Sequence, residues 1–155
     1  MTKTVSLSEL LDPRAVVVDL KGRLKAEVLS ELVGAIGTAG LVADAPAALS
    51  AVQAREQVAS TGCGSGVAVP HARLPGLAHT LLALGISKAG VEFGGVDNEP
   101  VKLIFLLLGS ETEPEHYLKT LSQVARLIKE SDFRQELLEA KDAQAVLDLI
   151  KARTT

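Results

Sequence analysis

Two rhythms of apolar residues divide the chain. From Arg23 to Ala39, Leu24, Val28, Leu32 and Ile36 recur at helical spacing, and Gly40 stands where that helix should end. Asp44 is a good N-cap with Pro46 in the first turn. The helix it predicts runs to about Ala59, with Leu49 and Val52 turned inward. Pro114 opens another helix, in which Leu118, Leu121, Ala125 and Ile128 form the buried stripe. Ser131 and Asp142 cap two more, at about 132–140 and 143–152. Near the start, Ser6 and Glu9 have capping-box spacing for a short helix that Pro13 stops.

Between these segments the rhythm shortens. Ala15–Val18, Thr80–Ser87, Val91–Phe93 and Val101–Leu108 are short, apolar runs bounded by Gly, Asp, Asn or Pro, which is the signature of strands. The run VKLIFLLL at 101–108 is almost continuously apolar and suits a central strand covered on both faces. Helices and strands interleave, with no internal repeat and no low-complexity linker. The expectation is an α/β fold, a mixed β-sheet sandwiched between helices, in a single domain over residues 1–155.

Composition narrows the function classes. The chain is 47% hydrophobic but carries only three Phe, one Tyr and no Trp, so its core is aliphatic. A net charge of −3 with no long basic run argues against nucleic acid or an anionic membrane surface as partner. The longest apolar stretches fall short of the ~20 residues a membrane-spanning helix needs, so no membrane insertion is expected. The N-terminus lacks the long apolar segment of a secretory signal, and the single Cys63 cannot form an internal disulfide. A soluble cytoplasmic protein is expected.

The chemistry concentrates at residues 60–77, STGCGSGVAVPHARLPGL. Gly62, Gly64 and Gly66 lead into Val67-Ala68-Val69, which stops at Pro70. Proline has no N–H to give a sheet, so the pattern predicts a strand that ends at Pro70 and delivers His71 at its tip. Arg73, Pro75 and Gly76 then continue as loop. An imidazole held beside glycine-rich backbone can serve as a placed nucleophile; the alternative is a loop histidine that only caps backbone groups. His116 sits in the first turn of the Pro114 helix, where unpaired N–H groups favour an incoming anion, or else it is an ordinary surface histidine. Arg55, five residues before the glycine loop, can offer a planar fork of donors to a phosphoryl group, or be a solvated helix-end arginine. His79 and Cys63 read as structural residues. The glycines do not form a dinucleotide loop, because the helix precedes them and the strand follows. No His or Cys pair has zinc-ligand spacing, and no metal or cofactor is expected. One exposed imidazole, a second at a helix N-terminus and a guanidinium can together receive a phosphoryl group, since that chemistry is mostly positioning and charge neutralisation.

Residues 55–73, REQVASTGCGSGVAVPHAR, and 99–128, EPVKLIFLLLGSETEPEHYLKTLSQVARLI, resemble the fructose/mannitol-type enzyme IIA domains of the phosphoenolpyruvate-dependent phosphotransferase system. The resemblance spans nearly the whole chain. It implies a mixed sheet sandwiched by helices, with His71 as the phosphorylated residue, through Nε2. It makes His116 the neighbouring histidine that hydrogen-bonds the active imidazole or its phosphoryl group, and Arg55 the guanidinium at the site. Thr61, Gly62, Gly64, Gly66 and Pro70 support the loop. Ala72 departs from the family, where many members carry glycine. The implied donor is the phosphocarrier HPr or a paralogue, and the implied acceptor a IIB cysteine on a separate chain, since no IIB motif or membrane domain is found in this sequence. EPVKLIFLLL and EHYLKTL resemble the nitrogen-related regulatory branch, which implies instead a regulated target protein whose binding depends on His71 phosphorylation. A degenerate domain that binds and is never phosphorylated is the third alternative.

Overall fold

The apolar run near residue 105 becomes the middle of the sheet. In the computed structural model, which describes residues 7–94 and 99–154, strand β6 (Val101–Ser110) is buried at every position except Lys102. It can be covered on both faces because helices lie on each. The described elements, in chain order, are α1 (Leu7–Leu10), β1 (Leu11–Val17), α2 (Lys25–Thr38), α3 (Ala45–Val58), β2 (Gly62–Gly64), β3 (Val67–Ala68), β4 (His71–Leu74), β5 (Leu81–Val91), β6, α4 (Pro114–Leu127), α5 (Ser131–Glu139) and α6 (Ala143–Thr154). The strands form one mixed sheet in the order β1-β5-β6-β3-β2, with β4 also paired to β6. The β1/β5, β3/β6 and β4/β6 pairs are parallel, and β5/β6 and β2/β3 antiparallel.

Two strand glycines show which helices cover which face. Gly85 of β5 has no side chain because Leu20 and Leu32 fill the space a Cβ would need, so the α2 layer lies on its side. Gly85 is paired with Ile104, and Gly109 lies five residues further along the same strand. Successive residues of a strand point to opposite faces, so Gly109 looks the other way. There it meets the Tyr117 ring of α4. The expected sandwich is thus formed.

Caps and stops follow the sequence closely. Asp44 accepts from the Ala47 N–H at 3.0 Å and Asp142 from the Ala145 N–H at 2.8 Å. Gly40, with φ +73°, closes α2 with its N–H on the Gly37 carbonyl. The Ser6 cap lies outside the described residues. Ser131 is the first residue of α5 rather than its cap. Val28, Leu32 and Ile36 are fully buried, but Leu24 precedes α2 and is 52% exposed. The run at 80–87 continues as far as Val91 in the one strand β5, bent by a bulge where Gly90, at φ +93°, gives its N–H to Ser87 Oγ; Glu92 forms an isolated bridge with Leu24 and Phe93 lies beyond the strand. The buried stripe of α4 is Tyr117, Thr120, Val124 and Leu127, one residue off the expected set; Leu118 and Ala125 are exposed. Among the described residues no helix is long and apolar enough to cross a membrane.

Candidate functional site

The glycine loop is anchored from below by a carboxylate. Glu56, in the last turn of α3, is buried and accepts from Lys25 Nζ at 2.8 Å, from the Thr61 N–H at 3.3 Å and from the Thr61 hydroxyl. The Lys25 ammonium also lies over the Phe93 ring, 4.6 Å from its centroid. Thr61 in turn accepts the Val69 N–H through its carbonyl at 3.1 Å, which fixes the strand leading to His71. Between β2 and β3 the chain reverses through Ser65 (φ +56°) and Gly66 (φ +77°), the left-handed pair that a two-residue hairpin connection demands. The Gly66 carbonyl then accepts from the Lys102 and Leu103 N–H groups of β6.

Pro70 interrupts the sheet without ending it. Its carbonyl still accepts from Leu107 N–H at 2.9 Å, and pairing resumes at once in β4, with His71 opposite Leu107 and Arg73 opposite Gly109. The expected loop after His71 is therefore a strand. The missing proline N–H costs one ladder bond, and the parallel neighbour β6 carries the register across the gap. As a result His71 and Arg73, two residues apart, share a sheet face, the same face as Gly109.

On that face lies Tyr117. A Cβ on residue 109 would meet the ring at 2.2 Å, so the phenol is seated directly on the glycine. The Arg73 guanidinium lies 5.0 Å from the ring centroid, and the His71 ring is 6.3 Å away at an interplanar angle of 51°. Burial pushes the Tyr117 phenol above its ordinary pKa, and the positive charges of Arg73 and Arg55 pull it partly back. Arg55 thus reaches this cluster electrostatically while its guanidinium donates to the Ala59 carbonyl at 2.9 Å.

His71 itself is half-buried, and its Nδ1 is 2.7 Å from the Val69 carbonyl oxygen. A carbonyl can only accept, so Nδ1 carries the proton and Nε2 keeps its lone pair in the neutral ring. The hydrogen bond expected between His116 and the His71 ring is not formed. Both His116 nitrogens are buried without a hydrogen-bond partner, and Nδ1 stands 3.8 Å from Glu113 Oε1. The exposed His79 approaches that same oxygen at 3.6 Å. His116, His79 and Glu113 line a groove of about 810 Å³ together with Leu11, Leu81 and Leu147; His71 does not line it.

Of the residues that sequence patterns had pointed to, His71 lies on one face with Arg73 and Tyr117, while Arg55 is linked to that face by its charge on the Tyr117 phenol. Tyr117, Arg73 and Glu56 were missed. A signal existed for the first two: a glycine inside an otherwise branched, apolar strand marks a close approach by something bulky, and His-x-Arg in a strand shares a face.

With this geometry in view, the chain can be placed among known proteins. It matches the family model described as "Phosphoenolpyruvate-dependent sugar phosphotransferase system, EIIA 2" over residues 9–153. The chain belongs to that family. It is 32% identical over 146 residues to the PTS system fructose-specific EIIABC component of Bacillus subtilis, covering 94% of this chain but only 23% of that longer protein. It is also 32% identical over 146 residues to the nitrogen regulatory protein of Pseudomonas aeruginosa, covering 94% of this chain and 95% of that one. Its relatives in the EIIA family therefore include both sugar-system components and nitrogen regulatory proteins. The crystal structure of nitrogen regulatory protein IIA-Ntr from Neisseria meningitidis superimposes with a TM-score of 0.86 at 28% identity, over 93% of this chain and 98% of that one. IIA mannitol of Escherichia coli shares the fold, with a TM-score of 0.74 at 18% identity over 90% of this chain and 97% of that one.

Within this EIIA domain Cys63 stays apart from the chemistry. Burial and the negative charge of Glu56 push its thiol above the ordinary range, and Sγ lies 3.4 Å from the Thr61 carbonyl. A raised pKa means less thiolate at neutral pH. Cys63 is expected to alkylate more slowly than free cysteine at pH 7, as followed by mass spectrometry with iodoacetamide; a faster rate would assign it a reactive role.

Proposed function

We propose that the chain is a phosphocarrier that accepts a phosphoryl group on Nε2 of His71. The observation that carries this reading is the Nδ1 bond to the Val69 carbonyl, which leaves Nε2 as the ring's free base, on the sheet face that His71 shares with Arg73. In the forward step the Nε2 lone pair attacks phosphorus of a phosphorylated carrier protein of the HPr kind. An N–P bond forms on His71, the donor's bond to phosphorus breaks, and that electron pair returns to the donor. The proton stays on Nδ1, where the carbonyl stabilises the positive charge that develops on the ring. Arg55 and Arg73 offset the charge of the phosphoryl oxygens. Onward transfer reverses the bond changes, with an acceptor nucleophile such as a IIB cysteine thiolate taking phosphorus and the electron pair returning to Nε2. A solved neighbour, the complex of enzyme IIAMTL and phosphorylated enzyme IIBMTL from Escherichia coli, makes a IIB partner a natural acceptor to test.

A second reading keeps the same chemistry and changes its purpose. The likeness to nitrogen regulatory proteins of Pseudomonas aeruginosa and Bradyrhizobium diazoefficiens extends over 95% and 94% of their lengths, which favours phosphorylation of His71 as a regulatory signal read by a target protein. The experiment is an intact-mass assay with phosphoenolpyruvate, enzyme I and HPr. An acid-labile gain of one phosphoryl group is expected. No gain with several HPr paralogues on folded protein would favour a domain that only binds. A pull-down partner that distinguishes the phosphorylated from the unphosphorylated protein would select the regulatory purpose, and phosphate appearing on an added IIB domain would select transport.

A further inference from the structure

We infer that Tyr117 is a positioning residue, its ring face holding the Arg73 guanidinium ready for the phosphoryl group that His71 carries. This rests on the phosphocarrier reading above and adds to it how the charge near His71 is kept in place. The platform is built by the sheet. Arg73 is paired with Gly109 of β6, and a Cβ at Gly109 would run into the Tyr117 ring. A missing side chain therefore makes the seat, and the residue that fills it is only 5% exposed. A side chain packed this closely holds one position. Strand β4 sets His71 and Arg73 on one face, about 7 Å apart along the chain. Both approach the same ring: the guanidinium carbon lies over it at 5.0 Å from the centroid, and the imidazole stands at 6.3 Å.

What the ring leaves free matters as much as what it holds. A carboxylate partner would cancel the arginine's charge and take up its N–H fork. An aromatic face attracts the cation through its quadrupole and takes none of the five N–H donors. Among the described residues Arg73 makes no ion pair and no side-chain hydrogen bond, so its charge and its donors stay open to an anion. Arg55 differs, because it gives an N–H to the Ala59 carbonyl at 2.9 Å. Burial raises the pKa of the phenol and the Arg73 charge lowers it, as expected of a cation seated at this ring. An exposed arginine ordinarily samples many rotamers, and ordering it costs free energy when the anion arrives. A cation held in advance avoids that cost, and phosphoryl transfer depends mostly on such positioned charge.

The test is single-turnover transfer from phosphorylated HPr, on wild-type protein first and then on variants shown to be folded by far-ultraviolet circular dichroism. Arg73→Ala should slow transfer about 10- to 100-fold, the loss of hydrogen bonds to a charged group. Tyr117→Leu removes the platform and keeps the charge; a loss of about 3- to 30-fold is expected. Tyr117→Phe keeps the ring face and should stay within about threefold of wild type. In an Arg73→Ala background, Tyr117→Leu should cost no more than about twofold, because the ring then has nothing to hold. Losses that multiply instead, a Tyr117→Phe loss equal to that of Tyr117→Leu, or an Arg73→Ala rate equal to wild type would each overturn the inference while leaving His71 phosphorylation standing. Since Tyr117→Leu empties a seat in the core, a second measurement keeps the native ring. In nitrogen-15 NMR of the wild type, the Arg73 Nε–H signal, assigned by its loss in Arg73→Ala, should lie upfield through the ring current and move when His71 is phosphorylated. A signal at the position of a free arginine, unmoved by phosphorylation, would overturn the inference. A wild-type protein that takes no phosphoryl group would overturn both readings, and is seen before any variant is made.

Discussion

His71→Ala is expected to abolish acid-labile phosphorylation completely and to leave the fold nearly unchanged. The two halves of that expectation have separate physical grounds. Chemically, neither remaining histidine can stand in. The His79 ring is 81% exposed and lies on the groove with Glu113, away from both arginines of the cluster. His116 has its nitrogens buried in that same groove. Structurally, the His71 side chain makes one hydrogen bond, to the carbonyl of the buried Val69, in a partly buried setting. The net contribution of such a bond is about 1 kcal/mol. The backbone pairing of β4 with β6 does not depend on the imidazole. A denaturation midpoint close to wild type together with zero mass gain is the result expected. A residual acid-labile gain would place the nucleophile elsewhere.

Glu56→Ala is expected to have the largest effect on stability among single substitutions near the site, about 3 kcal/mol. The carboxylate is buried, and three groups converge on it: the Lys25 ammonium, the Thr61 N–H and the Thr61 hydroxyl. Removal leaves a lysine without its counter-charge and two donors without acceptors. Breaking a fully buried pair costs about 3–5 kcal/mol. The Lys25 side chain is 27% exposed and retains the face of Phe93, which holds the expected value at the lower end of that range. Because Thr61 also receives the Val69 N–H, the damage should spread to the strand that presents His71, so transfer should slow as well. Glu56→Gln keeps an acceptor for Thr61 and should lose about half as much. Urea unfolding of the three proteins checks the order; an alanine variant as stable as wild type would show that the loop is held by other means.

Much of the fold was readable from residue patterns because its strongest signals are local. A nearly unbroken apolar run at 101–108 can be accommodated only between two covering layers, and Asp44, Asp142 and Gly40 act within one turn of themselves. The misses lie where two local patterns compete or where tertiary contact decides. In α4, residues 117, 118, 121, 124, 125, 127 and 128 are all apolar or aromatic enough to be buried, so periodicity leaves the phase of the helix open by one residue. What decides it is the seat that Gly109 offers to Tyr117, which belongs to another element. The same one-residue choice carries the site with it. Once Tyr117 faces the sheet, His116, one residue earlier, is turned toward Glu113 and His79. At Pro70 the rule that proline ends a strand is sound for an isolated strand. It failed here because a parallel neighbour was available on the other side of the gap. Glu56 reads as an exposed helix-end charge until Lys25, thirty-one residues earlier, is brought beneath it.

The most direct measurement is the position of the phosphorus on the ring. Protein labelled with nitrogen-15 in its histidines, phosphorylated through HPr, can be examined by two-dimensional NMR that correlates each ring nitrogen with its carbons and with phosphorus. Coupling of phosphorus to Nε2 of His71, with Nδ1 protonated, is the predicted result. Phosphorus on Nδ1, or on any other residue, would contradict the account, because the bond from Nδ1 to the Val69 carbonyl would then not be what selects the nucleophile.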